Sequence, residues 1–473
     1  MYQRGLVREQ DVEPLGESVV TVLERVGALY QSDEILNALG KAGARVDANE
    51  QVARFPKEMT SDFLQCLRSE SDADQQSDDH EETFRAPGLG WFFHQLSPYV
   101  YDAEKREKRL GNREDYIELI KLCDVLHPER GTGHCLLLSD VPAFHEPLEV
   151  TLLQFEYARK PTGAYVQDVG QIDYLNEMAD ISGIEGLTWL ANVGFSSPLR
   201  LGKDVADRYV AKIRRDNGSN LYIMTISGAG LPVTVAGCVT VGAAEFMANW
   251  MAARSLNPDV RLTGGSWIAT MDMRASSEHS YTAPDAMMRN FALREFMRRW
   301  TGISVGAGGG EYCPAKVPGP YAALEKAHAA MTVAAFTGRH PGVGSGHLDG
   351  GLVVSPVQLL LDREMAECLG QLEGPIDASE DAIGLEGILD VGHAARGNYM
   401  GTDHTYRHFR SSLWLPQLLE RAGWSGAETE EQVVRRAQDR VNDLIASYHK
   451  PDVDEDMLAR LRQVIDRARR SRP

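Results

Sequence analysis

Cationic side chains are the first shortage in this 473-residue chain. Lys and Arg number 49 against 68 Asp and Glu, a formal net charge of −19. That excess repels phosphate backbones and anionic lipid, so neither nucleic acid nor a membrane surface is expected as a partner. Cysteine is sparse too. The six residues (Cys66, Cys123, Cys135, Cys238, Cys313, Cys368) are scattered and form no CxxC pair. This argues against a disulfide framework or a zinc knuckle and fits reduced thiols in a cytoplasm. No apolar run reaches the roughly 18 residues that span a bilayer, and Met1–Glu9 holds no apolar signal core. Neither GxGxxG nor GxxxxGK[ST] follows a β-prone run; Gly306-Ala-Gly-Gly-Gly310 is glycine-rich without that spacing. His404 and His408 stand four apart, but the glutamate of a metalloprotease HExxH is missing.

What is present is a repeat. From about residue 95, β-prone runs alternate with amphipathic helical runs. Strands are expected to begin near Ser97, Gly133, Thr162, Leu187, Tyr222, Arg261, Gly302 and His340. Helices are expected at Arg113–Leu126, Leu148–Arg159, Ile172–Ile181, Asp204–Arg215, Val235–Arg254, Pro284–Trp300, Pro320–Phe336 and Val357–Gly370, the last capped by Ser355. Alternation of this kind implies parallel βαβ units. Eight units over about 270 residues match a TIM (β/α)8 barrel. The reading is therefore an α/β chain with the barrel over 95–371, a mainly helical N-terminal extension over 1–94 and a C-terminal helical extension over 372–473. In the first extension a helix is expected over 10–31, a second after the cap Ser32, and an aperiodic acidic loop over Ser69–Glu82. In the last, Ile383–Ala394 reads as a helix and Arg396–Arg410 as a polar segment. Two long helices follow, Glu428–Ser447 and Glu455–Arg470, with the alternating charges of a solvated face.

A TIM barrel carries its site at the C-terminal ends of its strands. The glycine-dense stretch Thr337–Gly351 puts His347 and Asp349 there, as candidate catalytic residues. Tyr101, Trp267, Asp272, Glu311 and Tyr312 fall at other strand ends and are candidate substrate-binding residues. Carboxylates and aromatics with few cations suit a cationic ligand, which is held on ring faces. Plainer readings stand beside each. The aromatics also serve as barrel-mouth packing, Asp272 pairs with Arg274 as a surface ion pair, and His347 caps a helix. Glu311, Cys313 and His347 together would make a three-ligand zinc site, but no tightly bound metal is expected.

The chain resembles the trimethylamine methyltransferase superfamily, a methanogenesis-related family. The likeness runs through Leu23-Glu-Arg-Val-Gly27, Ala42-Gly-Ala-Arg-Val46, Val52-Ala-Arg-Phe-Pro56, Pro232-Val-Thr-Val-Ala-Gly237, Ala244-Glu245, Asn257-Pro258 and Met271-Asp-Met-Arg274. It continues in Gly350-Gly351, Ser355, Leu361-Asp-Arg-Glu364, His404-Thr405 and His408-Phe-Arg410. The resemblance implies a TIM-barrel enzyme that passes a methyl group from a methylated amine to cobalt(I) of a corrinoid. The cobalamin is carried by a separate corrinoid protein; Asp390-Val-Gly-His393 lacks the spacing of a corrinoid-binding motif. Founding members carry pyrrolysine, whereas this chain has only standard residues. Members of that kind are associated with quaternary amines such as glycine betaine, a small methylated amine. A homo-oligomer is expected. The alternatives are a zinc-dependent methyltransferase and a non-catalytic quaternary-amine binding module.

Overall fold

The computed structural model describes residues 5–77, 96–184, 188–189, 193–216, 218–274, 279–308, 312–337, 343, 345–371, 376–393, 397–421, 423–424, 426 and 428–472. It is a mixed α/β chain in which long helices cover short, mostly parallel strands.

The N-terminal helix Glu9–Arg25 buries Val19 and Leu23 and packs on Val235–Leu256. It stops earlier than its apolar pattern suggests. Gly27 turns the chain at φ 76°, and a Cβ there would lie 2.2 Å from the Ala53 carbonyl oxygen. Only glycine permits that approach, and residues 28–30, expected to be helical, instead form the strand Ala28–Tyr30. This strand pairs antiparallel with Val52–Arg54 and parallel with Arg200–Leu201. Ser32 caps Asp33–Lys41 as expected, its Oγ accepting from Ile35 N. The expected acidic loop is overturned over 69–77, because the helix Lys57–Ser77 runs on through it. Buried Leu67 and the Glu70–Arg254 ion pair anchor that extension. Residues 78–82 of the loop lie outside the described residues.

The repeat region keeps its expected helices to within a few residues. Asn112 and Asp115 form a reciprocal capping box at Arg113–Leu126, and Ser355 caps Pro356–Gly370. Val235–Leu256 is mainly apolar and is buried along most of its length, with Glu245 and Asn249 taken inside as well.

The described strands fall in four open sheets. Gly218–Ser227 runs parallel to Arg261–Met271 over ten residue pairs, with Val193–Gly194 and Gly306–Ala307 outside them. Ala164–Tyr165 is parallel to Thr188–Trp189. Val353–Val354 is parallel to Tyr99–Asp102, and Ser97 bridges in parallel to Leu136. Backbone N–H groups of Asp349 and Gly350 donate to the carbonyls of Ala315 and Cys313. Strand starts expected at Leu187 and His340 lie outside the described residues.

The last two long helices are only half solvated. Val433–Ala446 buries Val433, Ala437, Val441 and Leu444 against Arg113–Leu126 and Pro356–Gly370. Glu455–Ser471 buries Leu458, Leu461, Val464, Ile465 and Ala468 against Glu146–Tyr157 and Ile172–Ser182. The expected helix over 383–394 is split at Gly384, φ 60°, into Glu380–Ile383 and Leu385–Val391. The polar segment contains the helix Asp403–Ser412. Among the described residues no helix is long and apolar enough to cross a membrane.

Candidate functional site

Trp267 stands midway along Arg261–Met271, and glycines make room for it. Gly265, two residues before it on the same face, has no side chain. A Cβ there would lie 2.8 Å from Trp267 Cζ3 and 3.1 Å from Tyr222 Cε1. Tyr222 is the register partner of Gly265, so its ring crosses the vacant position and meets the indole at 4.6 Å between centroids. A Cβ on Gly308 would lie 2.6 Å from Trp267 Cδ1. Gly265 and Gly308 therefore cradle the indole.

A row of rings continues from the indole. Tyr312 lies 6.4 Å from Trp267, Tyr281 lies 5.2 Å from Tyr312, and His279 lies 5.4 Å from Tyr281. His279–Ser280 folds back antiparallel on Thr270–Met271, which brings it to the C-terminal end of the central strand. Burial pushes the Tyr281 hydroxyl up, so this ring stays neutral. Beyond Tyr222 stands Tyr165, whose hydroxyl is also raised, first by burial and then by Tyr222. Its backbone N–H donates to His134 Nδ1 at 3.1 Å, and His134 Nε2 meets Glu146 Oε1 at 2.9 Å. With Nδ1 accepting, the imidazole proton sits on Nε2 and points at the carboxylate. Gln167 Nε2 donates to the other Glu146 oxygen at 3.2 Å.

At the His279 end the row meets the turn at Asp349. A Cβ on Gly350 would lie 3.7 Å from His279 Nε2. Asp349 holds a left-handed backbone, φ 55°, a strained state for a non-glycine residue. Its carboxylate is clamped by two lysines, Lys108 at 2.7 Å and Lys316 at 2.5 Å. Burial raises its pKa, but the hydrogen bonds and charges of Lys108 and Lys316 outweigh that and hold it below the ordinary value. Lys108 Nζ also lies 5.0 Å from the Tyr99 ring centroid.

Of the residues expected at the site, Trp267 and Tyr312 stand together in the row, and Asp349 lies at its end. His347 is fully buried, with Nδ1 3.2 Å from Ser345 Oγ. Tyr101 is buried beside Cys313, Ala315, Leu348 and Val353. Asp272 is an exposed partner of Arg274, whose hydrogen bonds pull its carboxyl down to about 2. Glu311 lies outside the described residues. Burial pushes the Cys313 thiol up to about 11, which disfavours a thiolate. Among the described residues no three His, Cys, Asp or Glu side chains converge on a metal position. His404 and His408 are both taken up by Asp381, through its carbonyl and its carboxylate respectively. Sequence reasoning missed Tyr165, Tyr222, Tyr281, His279 and the His134–Glu146 pair as site residues. The signal for the row was available in part, since three of its four tyrosines lie in or just after β-prone runs. A cleft at the opposite, N-terminal end of Arg261–Met271 is spanned by the Glu70–Arg254 pair and lies away from the row.

Residues 3–473 match the family model described as Trimethylamine methyltransferase (MTTB). The chain is 22% identical over 484 residues to Trimethylamine methyltransferase MttB of Desulfitobacterium hafniense, covering 98% of this chain and 96% of the relative. It is 20% identical over 474 residues to Glycine betaine methyltransferase of the same species, covering 98% and 96%. It is 23% identical over 477 residues to Proline betaine:corrinoid methyltransferase of Eubacterium limosum, covering 94% of each. With the match running over almost its whole length, the chain belongs to the trimethylamine methyltransferase family.

Proposed function

We propose that this chain is a corrinoid-dependent methyltransferase that takes a methyl group from a betaine-like quaternary amine. The observation that carries the reading is the row Tyr222–Trp267–Tyr312–Tyr281. A quaternary ammonium offers no strong donor and is held on ring faces, each worth up to about 2 kcal/mol when desolvated. Two relatives named for betaines support the choice of a zwitterion. The Lys108–Asp349–Lys316 cluster brings two ammonium groups to the end of the row. It therefore suits the carboxylate of a betaine better than its cationic head.

The same proposal includes the architecture. The parallel segments are read as staves of one (β/α)8 barrel. The pairings Gly306–Ala307 with Arg261–Met271 and Val353–Val354 with Tyr99–Asp102 support it, as do the Asp349–Ala315 and Gly350–Cys313 hydrogen bonds. In this reading 1–94 and 372–473 are extensions, the protein works in the cytoplasm, and it assembles as a homo-oligomer.

The methyl acceptor is cobalt(I) of a corrinoid on a separate protein, which enters as co-substrate. The carbon–nitrogen bond breaks, and the tertiary amine leaves neutral with the bonding pair, so no proton needs to move. The chain supplies positioning and a dry, π-rich wall. Trp267, Tyr312 and Tyr281 hold the ammonium, and Lys108 and Lys316 orient the carboxylate. Asp349 spaces the two lysines. Buried His347, two residues away, is a positioning residue for that turn. Tyr101 supports it from below.

The test is a panel of glycine betaine, proline betaine, choline and trimethylamine incubated with cobalt(I) cobalamin, following methyl-cobalt formation. Transfer from the betaines in preference to choline is expected. Betaine binding by calorimetry without transfer would instead make the chain a binding module. Activity that disappears on chelation and returns with zinc would favour the zinc reading.

A further inference from the structure

We infer that Met224 is a specificity-determining residue of the amine site, a soft wall that admits a quaternary ammonium and turns away a protonated tertiary one. The inference rests on the methyltransferase reading above. Met224 stands on Gly218–Ser227 as the register partner of Trp267. Side chains alternate along a strand, so Met224 and Tyr222 share the face that carries Gly265 and Trp267. Ile223 and Ile268 lie on the other face, in the core with the covering helices, and both are fully buried. Met224 is 42% exposed. Parallel strands are ordinarily covered on both faces. A large apolar side chain left open inside this ladder, opposite an indole, therefore marks a space kept for a ligand.

Substrate and product of the proposed reaction differ at one bond to nitrogen. A quaternary ammonium presents only carbon-bound hydrogens, and its positive charge is spread over them. Ring faces and a polarizable thioether both suit that surface. The product is a tertiary amine, which takes up a proton in water and then carries an N–H. That donor needs an acceptor, and leaving it unmatched in a closed site is costly. A thioether sulfur accepts only weakly, the Trp267 indole nitrogen is a donor only, and Gly265 has no side chain. An amide or carboxylate at position 224 would accept the N–H and hold the product. Met224 fills the same length without that acceptor, so the wall favours the substrate and lets the protonated product go.

The experiment is calorimetric titration of the full chain with glycine betaine and with N,N-dimethylglycine at neutral pH. Wild type is compared with Met224→Gln, which keeps the side-chain length, and with Met224→Leu. The wild type should prefer glycine betaine by about tenfold or more, and Met224→Leu should keep that preference. Met224→Gln should cut it about tenfold, chiefly by binding dimethylglycine more tightly. Met224 is exposed, so the melting temperature should stay that of the wild type. Met273→Gln makes the same chemical change at the strand end, where Met273 is 60% exposed and its Cε lies over Gly228. It should leave the preference unchanged. A Met224→Gln variant with the wild-type preference overturns the inference, and so does an equal change from Met273→Gln. If Met224→Gln keeps both amine affinities and raises only the KM for cobalamin, the residue faces the corrin and the inference falls. A wild type that binds no quaternary amine sinks the proposed function itself, and shows before any variant is compared.

Discussion

Trp267 shows how a single side chain depends on what its neighbours lack. Glycines 265 and 308 leave it room, and a methyl group at either would fall within 3 Å of the indole. Trp267→Ala should lower kcat/KM for a betaine roughly tenfold to thirtyfold, the equivalent of one desolvated cation–π contact, while Trp267→Phe should recover much of the loss. Steady-state kinetics with a fixed excess of cobalt(I) cobalamin measures both. Gly308→Ala should raise KM by tilting the indole, with a change in tryptophan emission. Lys108→Met should weaken glycine betaine more than choline, which has no carboxylate. An equal loss for the two substrates would remove the lysine cluster from the site.

Glu245 makes a pH prediction at the same scale. It is buried on Val235–Leu256, where it accepts from Leu199 N at 2.7 Å and Ser197 Oγ at 2.9 Å. Burial pushes its carboxyl up from 4.5 to about 7, against the pull of those two hydrogen bonds. Below the unfolded value both states hold the proton and ionisation costs nothing. As pH rises from about 4.5 to 7 the unfolded chain releases its proton while the folded chain keeps it, so stability falls. The total is about 3 kcal/mol. Glu245→Gln should lose that slope. Denaturant midpoints at pH 5 and pH 8 should differ less in the variant than in the wild type, after allowing for the groups the two share.

At the scale of elements, the helices Pro320–Thr337 and Pro356–Gly370 are tied by a fully buried ion pair. Lys326 Nζ donates to Asp362, which also accepts from Gly346 N and Gln358 Nε2. Lys326→Met leaves a carboxylate in the interior without its counter-ion. That should cost about 3–5 kcal/mol in urea unfolding, and a near-neutral result would mean that Asp362 is held by its hydrogen bonds alone. The helix boundaries around this pair were legible because caps and periodicity are local: Ser355, Asn112 and Ser32 each act within four residues. The kink at Gly27 was not legible. Its cause is the Ala53 carbonyl, 26 positions on, pressed against a glycine.

The whole molecule is bound together from its ends. The last helix covers the outer faces of Glu146–Tyr157 and Ile172–Ser182, where Leu148, Phe155, Leu175 and Met178 would otherwise meet water. Removing residues 454–473 should therefore cost on the order of 5–10 kcal/mol, as much as the net stability of many proteins. Loss of the cooperative thermal transition in the truncated chain is the expected result. A truncated chain that melts like the wild type would show the helix to be an ornament.

The sequence by itself determined what depends on near neighbours and on sums. These are the charge balance, the alternation of strand and helix, most helix limits, and an aromatic, glycine-rich character at the strand ends. The motif order also carried the family. What only the tertiary structure decided is which of those residues meet. Tyr222 reaches Trp267 because strand register sets it opposite a glycine, and one step of slippage would turn it to the other face. Asp349 was expected to attract a cation, but Lys108, 241 residues earlier, has already neutralised it. His347 looked available because its neighbours are glycines, yet the turn folds inward and buries it. Partners this distant in sequence are brought together by burial and strand pairing, and no local pattern encodes them.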